Sequence, residues 1–130
     1  MLLGEATLDD LNSRLDVQLP MNRFRPNLVA SRSEAFAEDG WKRIRIGDAI
    51  FRSTKPSERC VITTVEQSTG EFTGKEPLKT LATYRVAKNV MPDRWEQLGV
   101  TPNAVIFGQN LIAEMTGVTI NVGDEIEVID

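Results

Sequence analysis

Apolar residues in this chain come in short bursts. The longest are runs such as Ala104-Val105-Ile106-Phe107, and Gly, Pro, Asn, Asp or Ser soon ends each one. Bursts of this length suit short strands better than long helices. The chain therefore has to bury its apolar surface by pairing several short strands. Leu28-Val29-Ala30 reads as one of them, and Pro26 just before it restricts Arg25 to extended geometry. Ile44-Arg45-Ile46 alternates, Gly47-Asp48 turns the chain, and Ala49-Ile50-Phe51 continues it. The stretch from Ile120 to Ile126 repeats that layout around Gly123-Asp124, so both copies read as strand–turn–strand. Val61 to Val65 is a β-branched run, and Gln67-Ser68-Thr69-Gly70 turns it into Glu71-Phe72-Thr73. A hairpin is thus expected directly after Cys60. Ala104–Phe107 and Leu111–Met115 read as further strands, and the first strand begins almost at Met1.

Helices are few. Thr7-Leu8-Asp9-Asp10 opens one, with Thr7 as N-cap and Leu8, Leu11 and Leu15 as an apolar stripe. Glu76-Pro77 starts another, with Leu78, Leu81 and Ala82 on its apolar side. Residues 88–103 read as an irregular excursion. The expected fold class is mainly β: a closed or nearly closed barrel with two or three short helices. The length of 130 residues is one ordinary domain, and no linker or low-complexity segment divides it.

Composition removes several function classes. There is no histidine and one cysteine, Cys60. Ser-His-Asp and Cys-His catalysis, intramolecular disulfides, multi-cysteine iron–sulfur clusters and the usual zinc sites are excluded. A net charge of −4 argues against general nucleic-acid binding. No apolar run approaches bilayer length and no secretory leader is visible, so a cytoplasmic, reducing location is the expectation. Charge is uneven along the chain. Residues 21–60 hold nine basic and five acidic side chains, a net of +4, while the remainder holds six and fourteen, a net of −8. The first region would attract an anionic ligand.

Three places hold candidate chemistry. A lone cysteine is most often a small buried hydrophobe. As a thiolate, Cys60 would be a nucleophile and a soft metal ligand, favoured by Arg59, Lys55 and Arg52 and opposed by Glu58. In Arg23-Phe24-Arg25-Pro26-Asn27, an extended backbone would put Arg23, Arg25 and Asn27 on one face, suited to phosphate; a solvent-facing edge is the plain alternative. Glu38-Asp39-Gly40-Trp41 reads as a surface turn with Trp41 closing the barrel end, and two adjacent carboxylates make a poor cation site.

These stretches, with others in the same order, resemble the MOSC domain (molybdenum cofactor sulfurase C-terminal domain), nearest to its amidoxime-reducing, N-hydroxylated-compound reductase type. The matching runs are Glu5-Ala6-Thr7-Leu8, Arg23 to Asn27, Ala37 to Trp41, Ile46-Gly47-Asp48, Arg59-Cys60 with Thr63-Thr64-Val65, Lys75-Glu76-Pro77-Leu78, Phe107-Gly108-Gln109-Asn110 and Val122-Gly123-Asp124. The resemblance implies a MOSC-type β-barrel that binds the molybdenum cofactor (molybdopterin). It implies Cys60 as molybdenum ligand and catalytic residue, and Arg25 near the pterin phosphate with Asn27 beside it; Arg23 and Arg59 join them as candidate cofactor contacts on the reading of their own charge and position. It also implies a reductase fed by an electron-donor redox protein carrying flavin, haem or an iron–sulfur centre. Pyridoxal phosphate, which the sulfurase holds in a separate domain, is not expected. Family members often place a second cysteine after the proline of this segment, where this chain has Ser57 after Pro56; that cysteine is not the metal ligand. The reductases also carry a preceding N-terminal β-barrel domain that is not among these residues, so a longer protein and a reduced relative both stay open. Two other functions remain beside the reductase. One is a sulfur carrier holding a Cys60 persulfide for metal–sulfur centres. The other is a non-catalytic anion- or partner-binding barrel with Cys60 buried.

Overall fold

A computed structural model describes residues 1–130. Six strands form one sheet in the order β2-β1-β5-β4-β3-β6, curled into a nearly closed barrel. They are β1 (Leu2–Gly4), β2 (Leu28–Ala30), β3 (Arg43–Ile46), β4 (Ala49–Arg59), β5 (Val105–Ala113) and β6 (Ile126–Val128). Only β1 and β2 run parallel; the other pairs are antiparallel. Three helices attach to the sheet: α1 (Glu5–Ser13), α2 (Leu78–Leu81) and α3 (Ala87–Val90).

The sheet is covered on both faces. In β1, Leu2 and Leu3 point opposite ways. Leu3 joins Leu8, Leu11, Phe24, Leu81 and Phe107, whereas Leu2 joins Ala30, Ile44 and Ile46. In β5, Phe107 and Ile106 divide in the same manner, Ile106 packing with Ala87, Met91 and Val100. This is why the run Ala104–Phe107 is continuously apolar rather than alternating. The Leu8 and Leu11 stripe of α1 sits in the first cluster with Leu15 at its margin.

The Ile44–Phe51 hairpin forms as expected, with Gly47 at φ 55 in the turn and a register of Ile46 against Ala49. Five local readings change. Helix α1 starts at Glu5, three residues early, with Gly4 at its N-cap, and the Thr7 hydroxyl is spent on Glu38 rather than on a cap. Val61–Thr64 is a 3-10 turn, not a strand. The Thr63 and Thr64 hydroxyls donate back to the carbonyls of Cys60 and Val61 at 2.9 and 2.6 Å, a local bond that competes with strand pairing. The hairpin expected after Cys60 is accordingly reduced to one bridge, Val65 to Phe72. Val105–Ala113 is one strand through Gly108, whose positive φ of 89 lets β5 pass the backbone of Leu2. In the second Gly-Asp copy only the outgoing strand forms. Asp124 accepts from the Asn121 amide and closes the turn.

Candidate functional site

Strand β4 carries the candidate thiol to the surface. It runs for eleven residues and ends at Arg59. Cys60 follows in extended geometry, and the Val61–Thr64 turn then leads the chain away. The Cys60 carbonyl accepts from both the amide and the hydroxyl of Thr63, which pins the backbone under the thiol. The side chain is free and exposed. This overturns the expectation of a buried lone cysteine, because the turn directs burial to Thr63 and Thr64 instead. Val61, Ile62 and Phe72 form exposed apolar neighbours in the adjoining chain.

Arg59 locks this end of β4 to the segment before β2. Its Nη1 donates to the Ser57 hydroxyl at 3.1 Å and its Nη2 to the Phe24 carbonyl at 2.6 Å. Ser57 thus has a use of its own as a support for Arg59. Burial lowers the Arg59 pKa from its ordinary value, and the neighbouring Cys60 opposes that shift. Arg59 Nε is buried with no partner. Phe24 is fixed in turn by packing on Phe107, ring centroids 4.9 Å apart. On the other side of β4, Glu58 accepts from the Thr101 amide at 2.7 Å.

The segment Arg23–Asn27 is not extended. Met21–Phe24 is a 3-10 turn, and Arg25 leaves it in the left-handed region at φ 55. The two arginines therefore do not share a face. Arg23 is buried and donates to the Thr73 hydroxyl at 3.3 Å, in the lining of a hollow shared with Lys79 and Glu76. Arg25 stays exposed, held only by a 3.4 Å bond to Gln67 Oε1. Gln67 also donates to the Asn22 carbonyl. Exposed Asn27 accepts from the Met1 amine at 2.6 Å. That amine has a lowered pKa, from burial first and then from the charge of Arg59. Arg25 and Asn27 thus belong to a segment tied to the Arg59-Cys60 corner, and Arg23 is turned away into its own hollow. Lys55 and Arg52 lie five and eight residues back along β4. At ~3.3 Å per residue that is more than a screening length of ~8–10 Å from Cys60.

A second polar constellation is internal, where the sequence predicts a surface turn. Glu38 is buried, accepting from the Gly4 amide at 3.0 Å and the Thr7 hydroxyl at 2.9 Å. Asp39 accepts from Gln109 Nε2 at 2.9 Å and stands 2.9 Å from Arg85 Nη2, an ion pair by distance without hydrogen-bond alignment. Arg85 is buried, its Nε donating to the Ile106 carbonyl. The capping pattern of a helix start concealed this; nothing local marks Glu38 as an internal acceptor. Trp41 does pack at the margin of the second core cluster, a structural role as expected.

A family model for the MOSC domain matches residues 1–127. The chain belongs to the MOSC domain family. Several curated proteins resemble this MOSC domain along nearly its whole length. Mitochondrial amidoxime-reducing component 1 of Homo sapiens is 40% identical over 129 residues, 99% of this chain and 36% of that protein. The Danio rerio protein of the same name is 43% identical over 126 residues, 97% of this chain and 35% of that protein. Mitochondrial amidoxime reducing component 2 of Rattus norvegicus is 38% identical over 125 residues, 96% of this chain and 35% of that protein. The MOSC chain spans about a third of the length of the curated relatives it matches. No helix in it is long and apolar enough to cross a membrane.

Proposed function

We propose that this MOSC domain binds the molybdenum cofactor, with Cys60 as the metal ligand, and serves a reductase of N-hydroxylated compounds. The observation that carries the proposal is an exposed thiol on a pinned backbone, at a corner laced by Arg59 to the segment of Arg25 and Asn27. The donor set fits such a group. Cys60 is a single soft donor with no cluster of three acidic, histidine or cysteine side chains in the chain, so the metal's other ligands would come from an organic partner. Arg25, loosely held and exposed, would take the pterin phosphate, and the Asn27 amide would bond beside it. Arg59, with its free Nε, would hold the corner rigid and keep positive charge next to the thiolate. Arg23 is better suited to bracing its own hollow than to the cofactor. Bound there, the cofactor would supply the two-electron chemistry that removal of an oxygen atom from an N-hydroxylated substrate needs. The electrons would come from a redox protein, as the chain holds no iron–sulfur motif. The names of the relatives, amidoxime-reducing components, support this substrate class.

The exposure of Cys60 also favours a second reading, a sulfur carrier with a Cys60 persulfide, and speaks against a barrel with a merely buried cysteine. The test is the molybdenum and pterin content of the chain and of Cys60→Ser, both purified from a host that makes the cofactor. Near-stoichiometric molybdenum in the parent and none in the variant is the expected result. Molybdenum in neither, with one added sulfur atom on parent Cys60 by mass spectrometry, would transfer the assignment to sulfur carriage.

A further inference from the structure

The basic bias of residues 21–60 is not used up at the Cys60 corner. Four of its cations, Lys42, Arg43, Arg52 and Lys55, line one hollow of about 630 Å³, where Arg94 joins them from the segment after α3. Asp130 is the lone acidic residue in that lining. It stands 3.5 Å from Arg43, which is also held by a two-pronged bond to Glu114. The chain's ion pairs are made by Arg14, Arg43, Arg45 and Arg85. Lys42, Arg52, Lys55 and Arg94 make none. The floor beneath them is polar and ordered. The Ser53 hydroxyl donates to Gln109 Oε1, and buried Gln109 is anchored to Asp39.

Four unpaired cations brought together from separate segments repel one another, and a concave wall focuses their field. A small anion of more than one negative charge relieves that repulsion. Two of the four are guanidiniums, whose planar forks match phosphate oxygens. The volume lies within the ~300–1,000 Å³ usual for small-molecule sites. The geometry points to a binding site for a small phosphorylated anion in this hollow, held by Lys42, Arg52, Lys55 and Arg94. Cys60, Arg25 and Asn27 are not part of its lining. The inference therefore stands independently of molybdenum at Cys60.

Inorganic pyrophosphate titrated calorimetrically into the chain at low salt tests it, with Arg52→Gln/Arg94→Gln and Cys60→Ser alongside. Both arginines are exposed and make no side-chain hydrogen bond, so the double variant keeps its fold, which its melting curve checks. The parent is expected to bind one pyrophosphate, more weakly as salt rises, with affinity reduced about tenfold or more in the double variant and unchanged in Cys60→Ser. No binding by the parent, or equal affinity in the double variant, overturns the proposal. Loss of binding in Cys60→Ser overturns it too, by assigning the anion to the thiol corner.

Discussion

Glu38-Asp39-Gly40-Trp41 and Arg59-Cys60-Val61-Ile62 each set charge beside apolar residues, and they meet opposite fates. The acidic stretch goes inside, where Glu38 and Asp39 tie β1, α1, β5 and Arg85 together. The stretch with the cysteine stays outside, with Cys60, Val61 and Ile62 all exposed. Side-chain polarity alone ranks them the other way round. What decides is the supply of partners. The acidic pair finds Gly4, Thr7, Gln109 and Arg85 waiting across the barrel. At the other corner only Arg59 is held, and the thiol stays exposed. One region spends its polar groups on the fold, and the other keeps them available.

The sharpest way to break this contrast is Asp39→Ala. It leaves buried Arg85 without a countercharge and the Gln109 amide without its acceptor. A loss of about 3 kcal/mol in denaturant unfolding is expected, the lower part of the range for a broken buried pair because Asp39 is 20% exposed. A loss below ~1 kcal/mol would mean that Arg85 is already solvated and the internal knot is loose. Cys60→Ser lies at the other end of the contrast. Its stability should change by no more than ~0.5 kcal/mol, as for other surface sites. A thiol reagent should modify native Cys60 nearly as fast as the unfolded chain, and strong protection would place the thiol inside after all.

Exposed ion pairs extend the comparison to its weakest member. Glu114 has its pKa lowered from 4.5, chiefly by the hydrogen bond from Arg43. A lowered carboxylate contributes stability that is fully present above 4.5 and is lost as pH falls through its folded value. The parent should melt slightly higher than Glu114→Gln near neutral pH, with the gap closing on acidification below that point. A gap that persists in acid would show that packing, not charge, is responsible.

The short apolar bursts, the Gly47 hairpin, the leucine stripe of α1 and the ordered family stretches were all legible along the chain. Each records a local period or a turn that a few neighbouring residues can specify by themselves. The split between Arg23 and Arg25 was not legible, because it depends on a left-handed Arg25 following a 3-10 turn. The Thr63–Thr64 turn was hidden behind β-branched residues that elsewhere favour strands. The fates of Glu38, Arg59 and Gln109 were decided by partners 34, 35 and 70 residues away. Sequence alone determined the class of fold and named Cys60 and Arg25 as residues to watch. The tertiary structure decided which polar groups are consumed in the core and which face outward. A polar side chain can be buried only where distant backbone and side chains supply its hydrogen bonds, and no local pattern encodes that supply.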